Sequence, residues 1–589
     1  MTFNIRSRWS TAILVKLGAL VAATTLSAAA EQRFLPDDPI QVDPDTQDAS
    51  GMKPLDVNLF VDFATNVITA RRPAEPGRAR NVNTIDEVPD SSWFSNRAGT
   101  RPLTVEDIMR GPNRDNGPKG GAWTVTSSKS DGVTPGFTIK DADGVRWFLK
   151  FDPPGYRGMS TGTEVTATKL MWALGYHVPE NHVAYLRREQ LVVGEGAKVT
   201  PPSGKTRRMR LGDIDEMLAR VDREPDGTYR VVASRALDGK PIGRIRFDGT
   251  RPDDPNDIVP HQHRRELRGY GTFAAWLNHV DAKSINSLDT LVTEHGRSFV
   301  RHHLIDFGSS LGSGGLGPAD YWAGHEHVVE KPALARMVGF GLAGPSYRRT
   351  AFHEAASVGR LPLANATFDP DAWKPRLPNP AFLHARADDK FWAARKLMAL
   401  STDLLRAAVR SGDFDDPASE DVLVQVLADR RDAIGRTYLT ALNPISDPAL
   451  TDEGGLGFTN VAVDLDLARA PEYYTAIWST FDNATGDTRV FGRTTGRTTT
   501  LPAPRGLPSA SGAYVMVDIR ATAPGHPSWE QPVRAFFRRT DRAWKLVGFE
   551  RMPDRTGRAT GPFAAGPVHG DGADRAEGAD AAVGANSAN

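Results

Sequence analysis

The chain has 589 residues, room for two to four domains at roughly 150 residues each. Its 40% hydrophobic and 24% charged content is that of an ordinary globular protein. Lys plus Arg equals Asp plus Glu at 72 each, so no global charge argues for nucleic acid or an anionic membrane as partner, and the lack of cysteine excludes disulfides, Cys-ligated zinc, Cys nucleophiles and a lipoprotein anchor.

Residues 1–30 have the build of a signal peptide. Arg6 and Arg8 form a basic start, Thr11 to Leu26 is apolar apart from Lys16, and Ser27-Ala28-Ala29-Ala30 offers a cleavage site before Glu31. The stretch is short of the ~20 apolar residues a membrane span needs, and no later segment is long and apolar enough to span. The mature chain is therefore expected to be periplasmic or secreted, with no transmembrane span after cleavage.

Residues 31–119 read as an N-terminal wrap with little core of its own. It carries a short apolar helix from Leu55 to Ala70, an apolar pair at Trp93-Phe94 and a short helix at Val105–Met109. From 120 to 200 the pattern turns strand-like. Trp123–Ser127, Gly136–Lys140 and Val145–Phe151 alternate. A helix follows from Glu164 to Leu174, with Thr161 or Thr163 as N-cap, then strands at Val183–Leu186 and Leu191–Val193.

Residues 201–445 open with the basic run Lys205–Arg210, which reads as a solvated loop. Next come a helix at 213–222 and a hairpin at 228–247 turning at Asp238-Gly239. A helix is expected from Arg264 to Leu277, and further helices at 331–339, 388–411 and 417–442, the second amphipathic through Phe391, Ala394, Leu397 and Leu400. Residues 456–552 alternate and are rich in turns, which suggests a separate antiparallel β domain with Tyr473, Tyr474, Trp478, Phe481 and Trp544 in its core. Residues 553–589 have almost no large apolar side chains and read as a disordered tail.

Two segments carry chemistry. One is His279-Val280-Asp281-Ala282-Lys283-Ser284-Ile285-Asn286; the other is Leu304-Ile305-Asp306-Phe307-Gly308. Together they give the spacing H-x-D-x-x-x-x-N followed by D-F-G. The helix expected before the first and the apolar run Phe299–Ile305 before the second suit that reading. The close pairs His261/His263, His302/His303 and His325/His327 lack acidic or Cys partners at known metal-site spacing and read as solvated loop or strand histidines.

On these motifs the chain resembles the protein-kinase-like superfamily over about residues 120–445. It looks closer to divergent bacterial members, the HipA-type and phosphatidylinositol-kinase-like proteins, than to eukaryotic protein kinases; Ala173-Leu174-Gly175-Tyr176-His177-Val178-Pro179 is similar to that set. The resemblance implies an α+β, two-lobed protein-kinase-like fold, with residues 120–200 as the small lobe, 201–445 as the large lobe and the β domain added at the C-terminus. It implies that Asp281 orients or deprotonates an acceptor hydroxyl, that Lys283 steadies the transferred phosphoryl, and that Asn286 and Asp306 hold Mg²⁺ or Mn²⁺. Lys150 would meet the phosphates of ATP or another nucleotide, paired with Glu164, although Glu164 sits early in its expected helix. A strand-end lysine in solvent and a glutamate favoured by the helix dipole are the plainer readings of that pair.

The sequence departs from the kinase pattern in three places. No G-x-G-x-x-G joins the first two strands; the loop 127–136, with Lys129, would have to cradle phosphate through hydroxyls and backbone N–H groups. Val280 replaces the arginine that reads a phosphorylated activation loop, and no Ala-Pro-Glu follows Asp306. The expected function is thus an exported phosphotransferase acting on an unknown hydroxyl acceptor, an envelope component or a protein. The alternatives are a catalytically inactive kinase-fold scaffold and a nucleotidyl transferase using the same groups.

Overall fold

The computed structural model describes residues 32–55, 73–128, 135–200, 205–327, 350–363 and 368–553, with positions 57, 61, 62, 64–66 and 347. The signal segment, Lys129, the expected helix at 331–339 and the tail from 554 lie outside the described residues. Mixed helices and sheets make this an α+β protein.

A short helix, α1 (Val105–Arg110), precedes three antiparallel strands: β1 (Trp123–Ser128), β2 (Gly136–Lys140) and β3 (Arg146–Phe151). Helix α2 (Met159–Ala173) and strands β4 (Asn181–Leu186), β5 (Leu191–Val199) and β6 (Arg207–Arg208) follow, then α3 (Leu211–Leu218) and β7 (Tyr229–Arg235). The seven strands form one sheet in the order β4-β7-β3-β2-β1-β5-β6. Alternation decides its faces. Trp123, Val125, Phe137, Ile139, Trp147, Leu149 and Phe151 point to one side and are closed over by Ile214 and Leu218 of α3. Each such side chain contributes about 1.5–3 kcal/mol by leaving water. Lys150 is thereby left on the opposite face.

The expected hairpin at 228–247 does not form. β7 enters the first sheet between β3 and β4, while β8 (Lys240–Gly243) pairs with β9 (Ser287–Glu294) in a second sheet completed by β10 (Arg297–Leu304). Val231, Val232 and Ala233 are all buried and suit a central strand, not a hairpin arm. Asp238-Gly239 is instead the crossing between sheets, so the first sheet extends to Arg235 and not to 200. Gly239 has φ 85°, and a Cβ there would strike the Leu291 carbonyl.

Helix α4 (Arg265–Leu277) lies between β8 and β9 in the chain. Helices α5 (Ala387–Met398), α6 (Thr402–Arg410) and α7 (Pro417–Leu439) pack with it and α2 around Leu170, Phe273, Trp276, Phe391, Leu405 and Leu427. The single helix expected at 388–411 is two, because Ser401 takes the N-cap of the second, its Oγ accepting from Leu404 N at 3.3 Å. Val82, Val88, Trp93 and Phe94 of the N-terminal segment are part of this same core.

Strands β11 (Phe352–Ala355) and β12 (Gly359–Pro362) make a two-stranded ribbon. The C-terminal strands form two sheets. The first joins β13 (Ile445–Leu450), β14 (Gly455–Asn460) and β17 (Thr500–Pro502). The second has the order β16-β15-β18-β19-β20, with β15 (Tyr473–Phe481), β16 (Thr488–Gly496), β18 (Tyr514–Thr522), β19 (Val533–Arg539) and β20 (Trp544–Glu550). Pairing begins at Ile445, ahead of the expected 456. Tyr474, Trp478, Phe481 and Trp544 are buried, and Tyr473 is exposed. Arg551 joins this unit to the helices: it donates to the carbonyls of Asn443 and Ile445 and lies 3.7 Å over the Phe391 ring. No helix among the described residues is long and apolar enough to cross a membrane.

Candidate functional site

The site gathers the end of β3, the second turn of α2 and two loops. Lys150 lies next to last in β3. Two residues on, the buried Asp152 carboxylate accepts from the backbone N–H groups of Gly158, Ser160 and Thr161 at 2.8–2.9 Å and from Thr161 Oγ1 at 2.7 Å. That carboxylate, and not Thr161 or Thr163, satisfies the free N–H groups at the start of α2. The helix therefore begins at Met159, which moves Glu164 into its second turn and within reach of β3. Its Oε2 lies 3.4 Å from Lys150 Nζ, and its Oε1 accepts from Asn181 Nδ2 at 3.3 Å and from Phe307 N at 3.0 Å.

Asp306 follows β10, in the left-handed region at φ 61°. Aspartate tolerates that conformation better than most residues, at a cost of roughly 1–2 kcal/mol. Its Oδ1 accepts from Lys150 Nζ at 2.8 Å. Lys150 thus bridges Glu164 and Asp306. Burial disfavours its ammonium, but the two carboxylates outweigh burial, and its pKa is raised above the ordinary lysine value. Burial raises the Glu164 pKa, with Lys150 opposing and Asp306 reinforcing.

Asn278, at φ 50°, ends α4 and turns the chain into the first motif. His279 is buried, with Nδ1 2.9 Å from Ser310 Oγ and its ring 5.3 Å from that of Phe307. Burial holds its pKa down at about 4 against the nearby Asp281, so the ring is neutral near pH 7. Asp281 Oδ1 accepts from Lys283 Nζ at 3.1 Å and from Arg376 Nη1 at 3.4 Å. Asn286 Nδ2 donates to the Asp281 carbonyl at 3.0 Å, while the Asn286 carbonyl accepts from Ile305 N, beside Asp306, at 3.0 Å. Those two bonds place the motifs side by side.

The structure brings Lys150, Glu164 and Asp306 into direct contact, and Asp281, Lys283 and Asn286 into a second cluster joined to the first through Asn286 and Ile305. The Asn286 amide and the Asp306 carboxylate are hard oxygen donors, which fits Mg²⁺ or Mn²⁺. The Asp306 side chain is 46% exposed, so waters can complete a coordination shell. Such a cation, when bound, would neutralise charge on phosphate oxygens. Three participants were not legible as site residues: Arg376 is 95 residues from Asp281 with no motif around it, Asn181 opens a strand, and Asp152 reads as an ordinary loop acid.

Other polar features have structural roles. His261, His302 and His303 are buried rather than solvated. His261 pairs with Asp257 at 2.7 Å, and His302 pairs with Asp289 at 2.8 Å and stacks on Trp93. In the basic run, Arg207 makes a two-pronged bond to Asp213 at 2.7 and 2.6 Å. Asp115, Glu180 and His182 lie close enough to share a metal. However, Arg114 pairs with Glu180 at 2.5 Å and Arg235 with Asp115 at 2.7 Å, so the carboxylates already have counter-charges.

No protein-family model matches the chain, and no curated protein matches it. Among solved structures, it is similar to a crystal structure of the Helicobacter pylori proinflammatory kinase CtkA, at 12% identity and a TM-score of 0.27, over 55% of this chain and 95% of that one. Two chains this distant share too little for the likeness to assign a fold family or an activity.

Proposed function

We propose that the protein is a metal-dependent phosphotransferase with a two-lobed, protein-kinase-like core and a C-terminal β unit. One observation carries the reading: Lys150 Nζ lies between Glu164 and Asp306, at 3.4 and 2.8 Å. A lysine on the third strand, a glutamate on the next helix and a metal-binding aspartate after a later strand are the parts by which kinases hold phosphates. Within the seven-stranded sheet the run β4-β7-β3-β2-β1, with α2 between β3 and β4 in the chain, has the strand order of a kinase small lobe and supports the same reading, with β5 and β6 added beyond β1.

The residues divide the work by position. Lys150 steadies nucleotide phosphates, with Glu164 keeping it charged and aimed. Asn286 and Asp306 hold the cation. Asp281 accepts the proton of the acceptor hydroxyl as its oxygen bonds to the terminal phosphorus and the bond to the bridging oxygen breaks, releasing a nucleoside diphosphate. Lys283 and Arg376 sit on Asp281 and face charge on the moving phosphoryl group. Residues 1–30 support export, so the reaction would take place in the periplasm or outside the cell.

One observation favours a scaffold instead: Asp281 Oδ1 is already engaged by both Lys283 and Arg376, as a structural carboxylate would be. Thermal shift of the mature chain with Mg²⁺ and a panel of nucleotides separates the readings. Binding contributes RT ln(1 + [L]/Kd), about 2.7 kcal/mol at a hundredfold excess over Kd. A shift present in the wild type and lost in Asp306→Ala, with a product one phosphoryl heavier by mass spectrometry, is the expected result. A product heavier by a nucleotide would indicate nucleotidyl transfer, and no shift with any nucleotide and metal would rule out the enzyme.

A further inference from the structure

Beside the loop that carries Asp281 lies a cavity of about 180 Å³. Lys283 and Ser284 belong to its floor, Phe247 and Leu377 give it apolar walls, and Asp62 and Asn66, one helical turn apart in the N-terminal segment, close it. The volume is below the ~300–1,000 Å³ of pockets that enclose drug-sized ligands. It suits one small group and not a nucleotide.

Asp62 sets the chemistry. Its side chain is 9% exposed. Oδ2 accepts from Ser284 Oγ at 2.8 Å and from Asn66 Nδ2 at 3.4 Å. Oδ1 is buried with no hydrogen-bond partner among the described residues; Arg246 Nε lies 4.0 Å from it. A buried acceptor left without a donor is costly, and burial raises the Asp62 pKa against the help of Ser284 and Arg246. The cavity is also tied to the chemistry. Ser284 opens the turn that holds Asn286, and Lys283 reaches from the cavity to Asp281.

We infer that this cavity receives part of the acceptor: an uncharged group bearing a hydroxyl, next to the hydroxyl that reacts, as in a polyol or sugar. This rests on the phosphotransferase reading and adds the acceptor's class to it. Asp62 repels an anion, and Lys283 in the lining with Arg246 4.0 Å from Oδ1 offsets its pull on a cation. A hydroxyl donates to Asp62 Oδ1 while its carbon skeleton lies on Phe247 and Leu377.

Saturation-transfer NMR on the full chain, with glycerol, glucose and myo-inositol as probes, tests this. Transfer to at least one probe is expected, with its affinity falling roughly tenfold to a hundredfold in Asp62→Asn, the loss of a bond to a charged acceptor. In that variant Ser284 and Asn66 keep the amide oxygen where Oδ2 was, so an NH₂ group replaces the free acceptor. Leu377→Trp, which fills the cavity from its apolar wall, should have the same effect. Thermal melts check that each variant folds; if one does not, the other carries the test. No transfer to the wild type, or transfer unchanged in a folded variant, overturns the inference. Nucleotide binding is measured separately, by thermal shift on the same wild-type sample. Nucleotide binding without polyol binding removes this inference alone. Polyol binding that depends on Asp62, without nucleotide binding, removes the phosphotransferase reading and leaves a polyol site.

Discussion

Lys150 Nζ donates to Asp306 Oδ1 across 2.8 Å, joining residues 156 positions apart. The bond ties the end of β3 to the loop after β10, and on the phosphotransferase reading it competes with the incoming phosphate. Lys150→Met should therefore abolish the nucleotide-dependent thermal shift. It should also destabilise the unliganded chain by about 3–5 kcal/mol, because Glu164 is left buried without its counter-charge. Lys150→Met with Glu164→Gln should recover much of the stability and none of the binding, as read by urea titration and thermal shift.

The Arg265–Asp389 pair makes a prediction about the fold alone. Both side chains are fully buried, 3.0 Å apart, and Arg268 reaches the other Asp389 oxygen at 3.0 Å. Asp389→Ala should cost about 3–5 kcal/mol. The exposed pair Arg406–Asp421, at 2.6 Å, gives the contrast: Asp421→Ala should cost about 1 kcal/mol or less. Urea midpoints with unchanged slopes would establish the difference.

Acid should weaken the fold. Burial holds His279 and His303 neutral, with pKa values of about 4, whereas unfolded imidazoles titrate near 6.5. Below ~6.5 the unfolded chain binds more protons, so stability falls as pH drops toward 4 and is unaffected by these two groups above that window. The slope should reach about 1.4 kcal/mol per pH unit for each histidine. Thermal melts between pH 7.5 and 4.5 measure it, and His303→Gln should flatten part of the slope.

Gly175 tests whether the N-terminal segment belongs to the core. Its φ is 116°, and a methyl group there would overlap the Phe94 ring. Gly175→Ala should therefore cost more than the 1–3 kcal/mol typical of overpacking, since the backbone is strained as well. Phe94→Ala in the same chain should recover part of the loss. Simple additivity of the two substitutions in urea would argue against the contact.

The elements that sequence made legible are those with a strict local rule. The alternation at 123–151 places Lys150 on the face away from the apolar cluster, and α4 ends at Leu277 beside the first motif. The misreadings share a cause: long-range contacts overrode local signals. Asp238-Gly239 has turn chemistry but crosses between sheets, because Val231–Ala233 gain more as a central strand. The start of α2 was misplaced because its cap comes from Asp152, outside the usual capping position. Arg376 and Asp62 reach the site through tertiary contact only, and no spacing rule could find them.

The Asp152 clamp has a mechanical consequence. It fixes the start of α2 to the end of β3, two residues past Lys150. Farther along, Thr166 Oγ1 donates to the Ala408 carbonyl at 3.3 Å, and Glu164 takes the Phe307 N–H. The helix is pinned at three points to three parts of the chain. Glu164 therefore has no room to swing away from Lys150, and a switch that works by rotating this helix would have to break all three anchors together. On the phosphotransferase reading, control falls to whatever admits or withholds the ligand, since Lys150, Glu164 and Asp306 already stand together.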